Sequence, residues 1–554
     1  MFIRAFIFLF VIGAAIISEA SDGRTLYFKY CSSCHHHDRI GFYAPPLLPS
    51  SLEKLSFRDI ERIIKEGIQT APLKPAFSSL TDEEIKAIVD FLRSSPSDVR
   101  WGEEEIKKSA VIFNVSQRPL RLKDKNNLTV AVERGNNKVW VMEGEDILDK
   151  FDYGNIHGGI KFSSDARRFF VPSRDGWIGR YDIDKGALYG KVRACVHMRN
   201  ISLSRDGNYL IASCLLPKAI VFINSDTLMP AAKKSVEGKI NAIYELQTRD
   251  DAIFTFRDLP LIGVVDTRGF NVRYIEIEDP LDGFFIEPFE NYIVGSSRNG
   301  KMLKVYALKD GRKVFEHPIE SMPHLFSASF WYSKGSFYFA TPHTKSPYLS
   351  IWRMYDWGFL KRIDLGGEGF LVRTNSNAPY LWVDNGTDEV VLIDKGDLSI
   401  KRITPVKGKK VTHTELSADG RIAYISIYGS EGYLMLYDAG TLKELKRFPA
   451  NLPAGKYNYV NKSRRFDTVQ LGNEVFKAKC WGCHHPTREA FGPSFQWIIK
   501  NRDEGIIRAY MRDPAGIYRE LGYSRSVMPR IELREEEVEA IMSFIKESAG
   551  VKDN

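Results

Sequence analysis

Apolar residues recur along this chain with two different periods. From 22 to 97 and from 464 to 550 the spacing is helical. In the first segment Ile85, Ile88, Val89 and Leu92 form a stripe, Thr81 stands as an N-cap, and Glu84 completes a capping box. The run 533–545 repeats that closing helix near the other end of the chain. Between them, over 105–462, short β-rich runs are joined by turn residues. A weak repeat is visible there: polar turn, strand, short break, second strand. Clear copies begin at Phe162-Ser163-Ser164-Asp165, Leu203-Ser204-Arg205-Asp206-Gly207 and Leu416-Ser417-Ala418-Asp419-Gly420, with related strand pairs near Thr129, Asp251, Phe289, Lys334 and Asn377. Spacings of roughly 33 to 48 residues are those of propeller blades. The pattern predicts a multidomain chain, an all-β eight-bladed propeller flanked by two all-α domains. A single blade cannot bury its faces, so closing the ring supplies the core.

Composition narrows the setting. With 554 residues the chain is too long for one core, and 44% hydrophobic with 27% charged residues is a globular balance. A net charge of +8 is mild at this length, and without a dense Lys/Arg block nucleic acid is not an expected partner. Arg4, the apolar run 5–17 and Ser18-Glu19-Ala20 read as a signal peptide, 1–20, cleaved near Ala20. That predicts a periplasmic protein with no membrane span after cleavage. An uncleaved anchor is the alternative, for which the run is short.

Six cysteines carry the most specific chemistry. Four form two C-x-x-C-H strings: Cys31, Cys34 and His35, then Cys480, Cys483 and His484. Two thioethers to the macrocycle and one axial imidazole define c-type haem attachment, so two covalent haem c groups are expected, one in each helical segment. In the 464–550 domain Met528-Pro529 falls just ahead of the closing helix, where a sixth ligand belongs; Met511 is the runner-up, expected rather in the core. In the 22–97 domain that place reads Leu73-Lys74-Pro75. Lys74 ligates only as the neutral amine; the other readings are a solvated lysine over a five-coordinate haem or a ligand from elsewhere. Either way the N-terminal haem is expected at the lower potential. His36, His37 and His485 are expected toward solvent. Cys195 and Cys214 could pair in an oxidising compartment or remain buried thiols.

With these residues in view, the middle of the chain resembles the cytochrome cd1 nitrite reductase family, which includes proteins that build haem d1. Tyr153-Gly154-Asn155-Ile156-His157, continuing to Phe162-Ser163 and Arg174-Asp175-Gly176, resembles the segment bearing the proximal ligand of the d1 iron. The resemblance thus implies that role for His157. Met198-Arg199-Asn200-Ile201-Ser202 is similar to the string whose Arg meets the d1 carboxylates, and Pro453-Ala454-Gly455-Lys456 to one near the end of the propeller. Arg174 and Arg199 suit bidentate carboxylate contacts. Where nitrite reductases of this family carry two distal histidines, this chain has Arg257 and Asp282. His324 and His343 match family histidines nearby and are the candidate catalytic residues; His197, His317 and His413 receive no role.

The resemblance implies an oxidoreductase in which two c-haems relay electrons to or from haem d1, or a dihydro precursor, held non-covalently. Loss of the distal pair favours a haem d1 maturation dehydrogenase over a nitrite reductase with a modified distal site. A dihaem carrier on an empty propeller scaffold is the reading from another class. Expected partners are soluble periplasmic electron carriers and a tetrapyrrole or small inorganic anion substrate. Substrate and oligomeric state are not legible in the sequence.

Overall fold

The computed structural model of the protein describes residues 22–41, 44–53, 55–68, 74–95, 99–297, 301–463 and 468–550. The expected signal peptide, 1–20, and part of the first linker lie outside these. The chain divides near residue 100 into two compact units.

The first unit is helical: Gly23–Tyr30, Phe57–Glu66 and Asp82–Arg93 are its main helices. Two capping boxes, Ser56 with Asp59 and Thr81 with Glu84, satisfy first-turn amides. The stripe Ile85, Ile88, Val89 and Leu92 is buried against Leu26 and Tyr27. The first and last helices cross closely enough that a Cβ on Gly23 would stand 1.9 Å from the Ala87 carbonyl oxygen, so only glycine fits.

After a short helix, Glu103–Ser109, the second unit has eight antiparallel sheets, seven of four strands and one carrying a fifth short strand, Val111–Ile112. Each is one blade. The last strand of the ring, Pro453–Asn458, pairs with Leu128–Glu133, placing Asn458 opposite Thr129, so the two ends of the propeller segment complete one blade together. The repeat seen in the sequence has a physical origin. In Ser163–Asp165, Ser204–Asp206 and Ser417–Asp419 the serine hydroxyl donates to the aspartate at 2.6 Å. The same hydroxyl accepts from the amide five residues on, at 3.0, 2.9 and 2.9 Å, closing the turn between a blade's first two strands. First strands of neighbouring blades touch around the axis: His197–Leu203 against Ile240–Glu245, and Val411–Leu416 against Pro453–Asn458. Cys195 and Cys214 form a disulfide across a Cα–Cα distance of 6.1 Å, closing the alternative of two buried thiols.

The ring is followed in the same unit by helices Thr468–Lys479, Phe495–Asn501, Glu504–Arg512 and Glu535–Ser548. The first and last cross as in the N-terminal unit: a Cβ on Gly472 would stand 1.9 Å from the Ala540 carbonyl oxygen. Met511 is buried in their core, as expected of it. Among the described residues no helix is long and apolar enough to cross a membrane.

Candidate functional site

Two haem-attachment sites and one cavity make up the chemistry. In each C-x-x-C-H string the cysteines are not disulfide-bonded, and the histidine is fixed by a proline carbonyl. His35 Nδ1 donates to Pro45 O at 2.7 Å, and His484 Nδ1 donates to Pro493 O at 3.0 Å. That selects the tautomer whose Nε2 carries the lone pair, as an axial ligand requires. The Phe495 ring stacks on His484 at 5.8 Å and helps set its plane. Both sites therefore fit covalent c-type haem. His37 is exposed, whereas His36 and His485 are only half-buried.

Lys74 sits within the first site's surroundings. Its Nζ donates to Ile63 O at 3.2 Å and lies 4.9 Å from the Phe77 ring centroid. Burial lowers the pKa of its amine, and its charge, after burial itself, helps hold His35 below the ordinary imidazole range. Met528 is half-buried in the loop ahead of Glu535–Ser548.

The cavity, about 450 Å³, lies where the first strands of the blades converge. Its wall carries the basic side chains Arg134, Lys161, Arg199, Arg373, Lys456 and Lys462 against two carboxylates, Glu415 and Glu474. Lys161 is neutralised by Glu245 at 2.6 Å. A cavity with this excess of positive charge fits a polycarboxylate.

His157 lies on this wall, brought there by the bridge between Ile156 and Ser173. Its Nδ1 donates to Arg199 O at 3.0 Å, and its Nε2 faces Arg199 Nη1 at 3.3 Å. Burial, then the charges of Arg174 and Arg199, push the imidazole down to about 2, so it stays neutral and its Nε2 accepts from Arg199 Nη1. Arg199 also donates from Nε to Asn241 O at 2.6 Å. Arg174, expected to meet the carboxylates, is not among the residues lining the cavity; it acts on His157 and Arg199 through its charge.

Of the two candidate catalytic histidines, His324 lines the cavity and His343 does not. His324 stacks on Phe370 at 4.0 Å, and burial pushes it down to about 4. His343 turns into its own blade, with Nδ1 donating to Ser321 O and Nε2 meeting Ser350 Oγ, each at 2.8 Å. Those contacts make it a buried structural histidine. Arg257 and Asp282, spaced well apart in sequence, come together as an ion pair at 3.7 Å outside the cavity lining.

His413, given no role from sequence, lines the cavity. A register shift between Thr412 and Thr414 and a φ of +50° aim it inward. That backbone region costs a non-glycine residue about 1–2 kcal/mol, and such outliers mark sites where position matters. Burial, then Lys456, holds His413 well below the ordinary range. Arg134 and Arg373 were missed in the same way. Lys456 stood in a recognised string without an assigned part; its Nζ donates to Ser426 Oγ at 2.7 Å.

Comparison with known proteins agrees with this architecture. The family model described as cytochrome D1 heme domain matches residues 123–462. Models for cytochrome c oxidase, cbb3-type, subunit III and for cytochrome c match 18–92 and 469–549. The dihydro-heme d1 dehydrogenase of Pseudomonas aeruginosa is 32% identical over 82% of this chain and 96% of its own length. Protein NirF of Stutzerimonas stutzeri is 24% identical over 61% of this chain and 93% of its own. A solved structure of dihydro-heme d1 dehydrogenase NirN in complex with DHE superposes with a TM-score of 0.76 at 32% identity, covering 80% of this chain and 99% of that one. The propeller, its cation-lined axial cavity and these matches together make the chain a member of the cytochrome d1 haem domain family.

Proposed function

We propose that this protein is a periplasmic dehydrogenase acting on a dihydro form of haem d1, with two cytochrome c domains, 22–97 and 464–550, that take the electrons. The observation that carries this is the axial cavity, in which clustered cations surround a neutral histidine. The similarity to a dihydro-heme d1 dehydrogenase supports the same substrate.

Dehydrogenation breaks two C–H bonds, forms one C=C bond and releases two electrons and two protons. When bound, each c-type haem supplies a one-electron iron couple, and two of them match that electron count. Arg199, Arg373 and Lys456 hold the substrate's carboxylates, with Arg174 fixing the field around His157. His157 would hold the tetrapyrrole's iron through Nε2, once Arg199 Nη1, which donates to that atom in the ligand-free chain, turns to a substrate carboxylate. His324 and His413 are neutral bases on the same wall and can accept the protons.

The cavity's two imidazoles also bear on nitrite reduction with a modified distal site. Protonating a departing oxygen needs imidazoles that are charged near neutral pH. Burial holds both of these below that range, so neither is charged near neutral pH to protonate a departing oxygen, which counts against nitrite reduction. Soluble one-electron carriers would reoxidise the chain.

The test is an optical titration of the purified chain with haem d1 and its dihydro form. The expected result is one non-covalent tetrapyrrole per chain, with its iron spectrum altered in His157→Ala and c-haem content unchanged. Failure to bind either pigment would leave an electron carrier on an empty propeller, and rapid nitrite turnover by the loaded protein would favour the reductase.

A further inference from the structure

The propeller does not make the cavity wall alone. Gln470, Leu471 and Glu474, on one face of the helix Thr468–Lys479, complete it. The matched d1 region ends at residue 462, so these three lie beyond it, in the region matched by cytochrome c.

Two kinds of contact fix that helix. Leu471, Val475 and Phe476 share one apolar cluster with Phe285, Leu325 and Tyr332 of the propeller. Glu474 accepts from Tyr332 N at 2.9 Å and from Lys395 Nζ at 3.1 Å, and both members of that ion pair are largely buried. Gln470 accepts from Ser376 N at 3.4 Å. The closing helix is tied in as well, since the Tyr332 hydroxyl donates to Glu537, which also pairs with Lys479 at 2.7 Å. A seam with an apolar core and buried polar pairs is a fixed interface.

The same helix leads to the haem attachment. Cys480 N donates to Phe476 O at 2.8 Å, continuing the helical pattern through the first thioether cysteine. From Glu474 on the cavity wall to Cys480 the rise is six residues, about 9 Å at about 1.5 Å each.

We infer that the C-terminal cytochrome domain supplies one wall of the tetrapyrrole cavity through Gln470, Leu471 and Glu474, and that the haem attachment at Cys480, Cys483 and His484 is the direct acceptor for electrons leaving a tetrapyrrole bound there. This rests on the function proposed above. The two electrons leave one at a time, each reducing ferric to ferrous iron. A soluble one-electron oxidant restores the ferric state between transfers, and the protons pass to cavity imidazoles.

The test uses the full chain and haem d1 as the probe. Gln470→Trp should weaken haem d1 binding by at least about tenfold with c-haem content unchanged, since it fills cavity space. On the wild-type chain, loading with haem d1 should speed the electron-spin relaxation of the ferric haem that a His484→Gly variant identifies. An unchanged affinity in a folded Gln470→Trp chain, or an unperturbed relaxation of that haem, overturns the inference while leaving the dehydrogenase reading intact. A wild-type chain that binds no haem d1 overturns both.

Discussion

Replacing Arg199 with methionine separates substrate binding from folding. The side chain is half-buried on the cavity wall and holds Asn241 O at 2.6 Å, and its pKa is lowered by burial first and then by the charges of Arg257 and Arg174. A hydrogen bond to a charged group contributes about 1.5–3 kcal/mol, so losing the Arg199 contact to a substrate carboxylate should weaken binding about 10- to 150-fold. Folding should respond differently. Arg199→Met leaves Asn241 O short of a donor, at about 1 kcal/mol, but relieves the repulsion among clustered guanidinium groups. The ligand-free chain should therefore keep its thermal midpoint within a few degrees of wild type. Arg199→Lys, which keeps the charge and loses the fork, should fall between the two. The assay is an anaerobic optical titration with haem d1, paired with thermal unfolding of the same preparations. An affinity within threefold of wild type would refute the reasoning. So would a loss of affinity that tracks loss of folded protein.

Three other outcomes follow from the same geometry. Burial depresses Lys456, and a carboxylate seated beside it raises it, so binding takes up a proton between the two pKa values and affinity declines as pH rises through that window. Lys456→Met should flatten the dependence of Kd on pH, and an unaltered slope would count against contact. The N-terminal haem should titrate below the C-terminal one in a potentiometric experiment, and equal potentials in the wild type would refute that order; Lys74→Met should raise it, and an unchanged potential in that variant would remove Lys74 as a ligand. Opening the Cys195–Cys214 disulfide, which spans 19 residues, with paired serines should lower propeller stability by about 3 kcal/mol in denaturant unfolding, and a change under about 0.5 kcal/mol would contradict that.

What could be read from the sequence was local. A C-x-x-C-H string holds its ligand set within five residues, so both attachment sites were visible. The blades were visible because Ser163, Ser204 and Ser417 build the same turn with an aspartate two residues on. The cavity is different in kind. His413 and Arg373 come from two blades, Arg134 and Lys456 from the blade that the two ends of the propeller segment share, and they meet only because the ring closes. The register shift that aims His413 inward leaves no mark in composition. His343 shows the opposite case: it lies one residue past the strand Ser336–Pro342, and its contacts to Ser321 and Ser350 turn it into the blade. Arg257 and Asp282 read separately as two odd substitutions and are one ion pair. Nor could any local pattern reveal that Gln470 and Glu474 reach the propeller's cavity, because that depends on how the final helices dock.

The most direct test of the account is anaerobic mixing of the oxidised full-length protein with dihydro-haem d1, followed by optical spectroscopy. The account predicts that the c-type haems become reduced as the dihydro pigment converts to haem d1, two haems for each tetrapyrrole oxidised. Binding of the pigment without reduction of either haem would contradict it.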